Sequence, residues 1–259
     1  MQTIRLEEDA RGVAVLTLAR SEKRNALSRE MITDLAEVAA QIAASDTIRV
    51  VVLAAEGPVF CAGGDLDWMR EQMAADAAAR RREATALANM LGALDRLPKP
   101  LIARVHGNAY GGGIGLMSIC DVVVAAEGTR FGLTETRLGL IPATIGPYVV
   151  ARMGAGKARQ VFLSSRIFDV DEASKLGLVA RIVPTSELDK AVENEIAPFL
   201  DCAPGAVAAA KALVARVGAA VDEQIVADSV EALVERWESD EANEGIKAFF
   251  EKRAPRWSK

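Results

Sequence analysis

Tyr110-Gly111-Gly112-Gly113-Ile114-Gly115 stands between two apolar runs, residues 101–105 and 116–126. Three glycines in a row leave backbone N–H groups that a ligand can approach closely, and the residues after them can open a helix. A second stretch of the same kind, Phe60-Cys61-Ala62-Gly63-Gly64-Asp65, follows the apolar, β-branched run 48–54. Either stretch alone is a glycine turn joining a strand to a helix. Together they can bring two backbone donors to one oxygen, which is how a carbonyl that gains negative charge is stabilised.

The flanking sequence sets these loops in an alternation of strands and helices. Residues 13–18, Val-Ala-Val-Leu-Thr-Leu, suit a strand, and the polar residues 20–25 a loop. Ser28 suits an N-cap, with Met31, Ile32, Leu35, Val38, Ala39 and Ile42 at helical spacing behind it. The run 48–54 reads as a strand covered on both sides. Asp65 then caps a helical arm over 66–97, stopped by Leu97-Pro98-Lys99-Pro100. Its polar, small-residue part, 71–83, predicts a mobile lid rather than core. Further strands are expected at 101–105, 122–126 and 178–183, and helices at about 146–163 and 171–177. From about residue 198 the pattern is all helical, with Pro204 opening one helix and two more over 221–250. The expected fold class is α/β, with ligands at the loop ends of a core over 1–197 and a helical region over 198–259.

Composition narrows the function classes. With 51% hydrophobic and 26% charged residues, the 259-residue chain has the balance of a soluble globular protein. A net charge of -5 argues against a general nucleic-acid binder, so no nucleic-acid partner is expected. No charged leader followed by an apolar core opens the sequence and no window has the length of a membrane span, so the expected location is cytoplasmic, with no membrane partner. Cys61, Cys120 and Cys202 lack CxxC spacing, which predicts buried reduced thiols rather than disulfides or a zinc site. His106 is the single histidine and reads as structural at a strand end; Ser118 has no base to activate it. No metal is expected.

Glu135 is the candidate acid–base group. It stands in Phe131-Gly132-Leu133-Thr134-Glu135-Thr136-Arg137-Leu138-Gly139-Leu140-Ile141-Pro142, among leucines and an isoleucine. Desolvation in such surroundings raises a carboxyl pKa toward neutrality. The same spacing also suits a helix-start carboxylate or a partner of Arg137. Asp65 and Asp67 read as helix caps rather than metal ligands, and Arg80-Arg81-Arg82 as a solvated helix face.

These residues carry a resemblance that runs through nearly the whole chain. Lys23-Arg24-Asn25-Ala26-Leu27, the two glycine loops, Cys120-Asp121, the Glu135 segment, Asp171-Glu172-Ala173, Gly177-Leu178-Val179 and Ala248-Phe249-Phe250-Glu251-Lys252-Arg253 jointly resemble the crotonase, or enoyl-CoA hydratase/isomerase, superfamily. The resemblance implies a crotonase-type spiral of ββα units, with a helical C-terminal region used in trimer assembly. It implies acyl-CoA thioester substrates, with no cofactor besides the coenzyme A carried by the substrate, and a homotrimer or dimer of trimers. By motif position Gly64 and Gly112 would donate to the thioester oxygen, and Glu135 would be catalytic. Lys23, Arg24, Ala26, Ala62, Asp65, Leu66 and Lys252 would bind the coenzyme or substrate, with Lys252 reaching its own or a neighbouring subunit's site.

One position departs from the family pattern. Hydratases of the family carry a first glutamate three residues after the second oxyanion glycine; here that residue is Gly115, expected to leave a space where the glutamate side chain would have stood. The segment Gly139-Leu140-Ile141-Pro142-Ala143-Thr144-Ile145-Gly146-Pro147-Tyr148-Val149-Val150 resembles hydratases of branched, carboxylated substrates, of the methylglutaconyl-CoA and carboxygeranoyl-CoA type, which act in leucine and acyclic-terpene breakdown. The resemblance therefore implies an enoyl-CoA hydratase. The alternatives are a Δ3,Δ2-enoyl-CoA isomerase working with one glutamate, and a non-catalytic acyl-CoA or RNA-binding homologue.

Overall fold

Short apolar runs bounded by glycine, proline or polar residues pair into two sheets, and in the middle of the chain successive runs alternate between them. In the computed structural model, which describes residues 1–218 and 221–257, the strands are β1 (Ile4–Glu8), β2 (Val13–Leu18), β3 (Val50–Ala55), β4 (Val59–Cys61), β5 (Leu101–Val105), β6 (Asn108–Tyr110), β7 (Val122–Ala126), β8 (Arg130–Gly132), β9 (Ile167–Asp169) and β10 (Arg181–Val183). The large sheet has the order β1-β2-β3-β5-β7-β10, parallel except for the β1–β2 hairpin. The small sheet has the order β4-β6-β8-β9, with β4, β6 and β8 parallel. Val50, Val51, Val52 and Leu53 are all buried, as the unbroken apolar run requires of a strand covered on both faces.

This pairing makes a spiral. Each turn sends one strand to the large sheet (β3, β5, β7) and the next to the small sheet (β4, β6, β8). The chain then leaves the small sheet into a helix or turn: α1 (Arg29–Ala44) precedes the first repeat, α2 (Leu66–Ala74) and α3 (Ala77–Asp95) follow β4, α4 (Gly112–Ser118) follows β6, and a one-turn 3-10 helix (Glu135–Leu138) follows β8. Because β4, β6 and β8 are parallel neighbours, their three exits lie side by side. Those exits carry the two glycine loops and Glu135. The chain continues through α5 (Gly146–Met153), α6 (Ala155–Phe162), α7 (Val170–Leu176), α8 (Leu188–Leu200), α9 (Pro204–Val217), α10 (Glu223–Trp237) and α11 (Asp240–Phe250). The mixed α/β spiral with its C-terminal helices is the expected fold; residues 219, 220, 258 and 259 of the region 198–259 lie outside the described residues.

Several boundaries differ from the sequence reading, each for a local reason. The arm over 66–97 is two helices, because Asp76 breaks it and caps α3 by accepting from Ala79 N at 2.7 Å. The expected lid at 71–83 is tied to the body: Gln72 is buried, and Arg29 of α1 pairs with Glu71 at 3.1 Å and with Glu83 at 2.9 Å, while Arg80 Nε donates to the Gln72 carbonyl at 2.9 Å within the arm. Arg80 is thus a C-terminal clasp for α2 rather than part of a solvated face. Gly154, with φ of 76°, divides the helix expected at 146–163. The strand at 178–183 begins only at Arg181, since Leu178 and Val179 donate to the Ala173 carbonyl and close α7. Cys61 and Cys120 are buried, their thiols pushed up to about 12 by burial, but Cys202 is exposed. Strands β1, β4, β6, β8 and β9 escaped the sequence reading; four of these five have only three residues, too few for a period-2 pattern. No single helix among the described residues is long and apolar enough to cross a membrane.

The C-terminal helices pack onto the Glu135 turn of the same chain. Arg236 on α10 donates to the Gly139 carbonyl from Nε at 3.0 Å and from Nη2 at 2.6 Å. Helix α11 comes so close that a β-carbon at Gly139 would lie 2.5 Å from the Glu241 carbonyl oxygen, and one at Gly245 2.5 Å from that of Leu138. Both contacts are backbone, which cannot yield as a side-chain end can. Gly245→Ala is therefore expected to cost about 1–3 kcal/mol as an overpacking substitution. Urea denaturation checks this, and an unchanged midpoint would show that α11 does not bear on the turn.

Candidate active site

The two glycine loops are held against each other by a third segment. Residues 24–27 run beside 62–65: Ala62 N donates to Arg24 O at 3.0 Å, Leu27 N to Gly63 O at 2.7 Å and Asp65 N to Leu27 O at 3.0 Å. Asn25, fully buried in the left-handed region at φ 53°, pins this segment by donating from Nδ2 to Glu56 O at 2.8 Å and Val59 O at 2.9 Å. Asparagine tolerates that conformation better than most side chains. In this ladder Gly64 N has no intramolecular acceptor among the described residues, and Gly112 N, in the first turn of α4, has none among them either. The sequence placed its two donors on these residues, and both open into one cavity of about 440 Å³.

Glu135 reaches the same cavity from the exit of β8. Its carboxyl lies over Gly111, where a β-carbon would come within 2.9 Å of Oε1, so only glycine (φ 47°) fits there. Oε2 is closed off from solvent and has no hydrogen-bond partner among the described residues, although the residue as a whole keeps some surface on the cavity. Burial pushes this carboxyl from its ordinary 4.5 up to about 7. Arg137 does not pair with it: its backbone N–H donates to Ser165 Oγ at 3.0 Å and its guanidinium turns toward the Ser165 carbonyl. The isolated, desolvated acid is the alternative the geometry selects over an ion pair.

Of the expected site residues, Gly64, Gly112, Glu135, Arg24, Ala62 and Leu66 line the cavity. Lys23 stands outside its wall and pairs with Asp67 at 3.1 Å. The Asp65 carboxylate is occupied as the cap of α2, accepting from Asp67 N at 2.9 Å, and by Arg20 at 3.2 Å. Ala26 is buried, with its carbonyl on Arg20 Nη1. Lys252 lies on the turn after α11 and is not part of the lining, whereas Phe249 of α11 is. His106 is away from the cavity, its Nε2 bonded to the Gly57 carbonyl at 2.7 Å.

The sequence reading missed the roof and one wall. Trp68 lies along Gly64, 3.9 Å from the place of a β-carbon there, and its indole is held by Glu83, which in turn pairs with Arg29 at 2.9 Å. Leu233 and Trp237 of α10 close the top together with Phe249. Their only signal was an apolar face on helices assigned to subunit assembly. The space expected beside Gly115 is filled: a β-carbon at Gly115 would lie 2.9 Å from Ile145 Cβ and closer still to its Cγ2. Among the described residues of the lining, Glu135 is the one acidic side chain.

A carbonyl oxygen between two free N–H donors, beside an unpartnered carboxyl of near-neutral pKa, is an arrangement for forming and protonating an enolate. A family model described as enoyl-CoA hydratase/isomerase matches residues 8–259. A protein of Thermus thermophilus that carries an enoyl-CoA hydratase name is 35% identical over 95% of this chain and 97% of its own. Mitochondrial methylglutaconyl-CoA hydratase of Mus musculus is 29% identical over 97% of this chain and 81% of its own. The crystal structure of an enoyl-CoA hydratase from Mycobacterium smegmatis, 34% identical, aligns over 99% of both chains with a TM-score of 0.81.

The buried carboxyl has a stability consequence of definite sign. Its folded pKa lies above the unfolded value, so its protonated form favours folding below pH 4.5, and that contribution is lost as pH rises from 4.5 to about 7. Glu135→Gln, which cannot ionise, is expected to exceed the parent in stability by up to about 3 kcal/mol at pH 8. The difference should shrink toward zero below pH 4.5. Denaturant titration at the two pH values measures it; equal stabilities at pH 8 would mean that Glu135 is hydrated.

Proposed function

The chain belongs to the enoyl-CoA hydratase/isomerase family, and from that premise we propose that it adds water to a 2-enoyl-CoA thioester whose acyl chain is branched or carboxylated. The observation that carries this reading is the meeting of Gly64 N–H, Gly112 N–H and the Glu135 carboxyl in one cavity. The thioester oxygen accepts from both N–H groups. Glu135 as carboxylate takes a proton from water while the water oxygen bonds to C3, and the C2–C3 π electrons move onto the thioester as an enolate. The protonated Glu135 then returns that proton to C2 as the enolate collapses. One carboxyl serves twice, and the product is the 3-hydroxyacyl-CoA.

The lining supports the choice of acyl group. Leucine, isoleucine, tryptophan and phenylalanine, with Met69, Ala62, Ala143 and Pro142, make most of the wall, which suits a hydrocarbon chain. Arg24 and Arg137 are its cations among the described residues, and we assign Arg24 to the coenzyme phosphates and Arg137 to a chain carboxylate. The methylglutaconyl-CoA hydratase relative is in keeping with such a chain. The proposed assembly is a trimer or a dimer of trimers, without a cofactor. It is supported by α9, which buries none of its residues in this chain and exposes Leu213, Val214 and Val217.

The single acidic side chain also favours a second reading, Δ3,Δ2-enoyl-CoA isomerisation, in which Glu135 moves one proton between C2 and C4. Incubation in ¹⁸O-water separates the two. Label in the 3-hydroxyacyl product is the expected result, and double-bond migration without label would replace the hydratase reading. On either reading kcat/KM is expected to fall tenfold per pH unit below about 7 and to level off above it. Glu135→Gln should lose at least about a hundredfold in kcat and lose that acidic limb, with CoA-ester binding retained. A variant with kcat close to the parent would remove Glu135 from the reaction.

A further inference from the structure

Gly112 and Gly115 are three residues apart on α4, hence on one face and about 4.5 Å apart along its axis. A thioester oxygen bonded to Gly112 N–H has C2 and C3 within about 4 Å of itself by ordinary bond lengths. The surface over Gly115 is therefore within reach of the reacting double bond or its substituents. That surface is Ile145. Its side chain is 3% exposed, sits on Gly115 and lines the cavity. Its backbone is fixed as well: the Ile145 carbonyl accepts from Val149 N at 3.0 Å in the first turn of α5, and Gly146 N donates to Ala143 O at 3.0 Å. Gly115 N is itself bonded to Gly111 O at 3.2 Å and offers no further donor. No larger residue at 115 fits while Ile145 is in place, so the two positions form an interlocked pair.

We propose that Ile145, seated on Gly115, determines the substitution pattern of the reacting alkene and selects 2-enoyl-CoA esters that carry an alkyl branch at C3. The proposal rests on the hydratase reading above. Hydrocarbon occupies this wall, so it can pack against a methyl group but cannot hold a water molecule or share a proton. A straight-chain substrate leaves that contact unmade, and one methyl in an apolar pocket is worth about ten- to two-hundredfold in discrimination.

The test uses the intact protein and two pairs of substrates that differ only by a 3-methyl group: 2-butenoyl-CoA and glutaconyl-CoA, each with and without it. The parent is expected to prefer the methylated member of a pair by at least about tenfold in kcat/KM. Ile145→Val, which keeps the branched carbon over Gly115, should retain the preference within about threefold. Ile145→Ala should abolish it by losing the methylated substrate, and Ile145→Thr, nearly the size of valine, should do the same if Ile145→Ala fails to fold. Because the readout is a ratio of two substrates in one preparation, general loss of activity does not move it. Hydration of both members by the parent with an unchanged ratio in Ile145→Ala and Ile145→Thr would overturn the role of Ile145 and leave the hydratase reading standing. If the parent hydrates no member of either pair, the hydratase reading falls first.

Discussion

Everything at the site depends on backbone approaching backbone. The loop after β4 and the loop after β6 lie so close that a β-carbon at Gly63 would be 3.1 Å from the Tyr110 carbonyl, and one at Gly113 2.8 Å from that of Cys61. At that spacing side chains are excluded and peptide groups are what remains to meet a substrate. Two N–H donors can then converge only because neighbouring parallel strands of the small sheet end at the same level. The geometry of the oxygen site is thus a property of strand register, reinforced by the 24–27 segment hydrogen-bonded alongside.

Glu135 shows the opposite economy. Its carboxyl is held without a hydrogen bond to Oε2, a condition that costs the ionised form about 3 kcal/mol for a rise from 4.5 to about 7. That cost is borne by the surrounding packing, above all by α10 and α11, whose contacts with residues 138 and 139 leave the turn no room to swing outward. Glycines at 111, 139 and 245 serve one end: the first leaves room for the carboxyl itself, and the other two let backbone of α11 and of the turn come close together.

The parts of this arrangement that were legible in the sequence are those written in residue type. Glycine runs, an N-capping serine or aspartate and a β-branched strand have local causes, and Ser28, Asp65 and the strands at 13–18, 101–105 and 122–126 are where their spacing placed them. Glu135 was legible because a carboxyl among leucines is unusual. What was not legible depends on three-dimensional adjacency. Ile145 entered only as one residue of the 139–150 segment, and nothing local said that it would fill the place beside Gly115. The three-residue strands carry no period, and the apolar faces of α10 and α11 do not announce whether they cover their own chain or another. The positions expected to bind the coenzyme split the same way: residues 24, 62 and 66 reach the cavity, while the side chains of Lys23 and Asp65 are engaged elsewhere.

The clasp between Arg236 and Gly139 joins residues 97 positions apart in the chain. The glycine loops and Glu135 are therefore translated before the helices that close over the turn, and contacts of such long sequence separation are of the kind that slow folding. The packing that pins the turn carrying Glu135 is thus supplied by helices translated well after it.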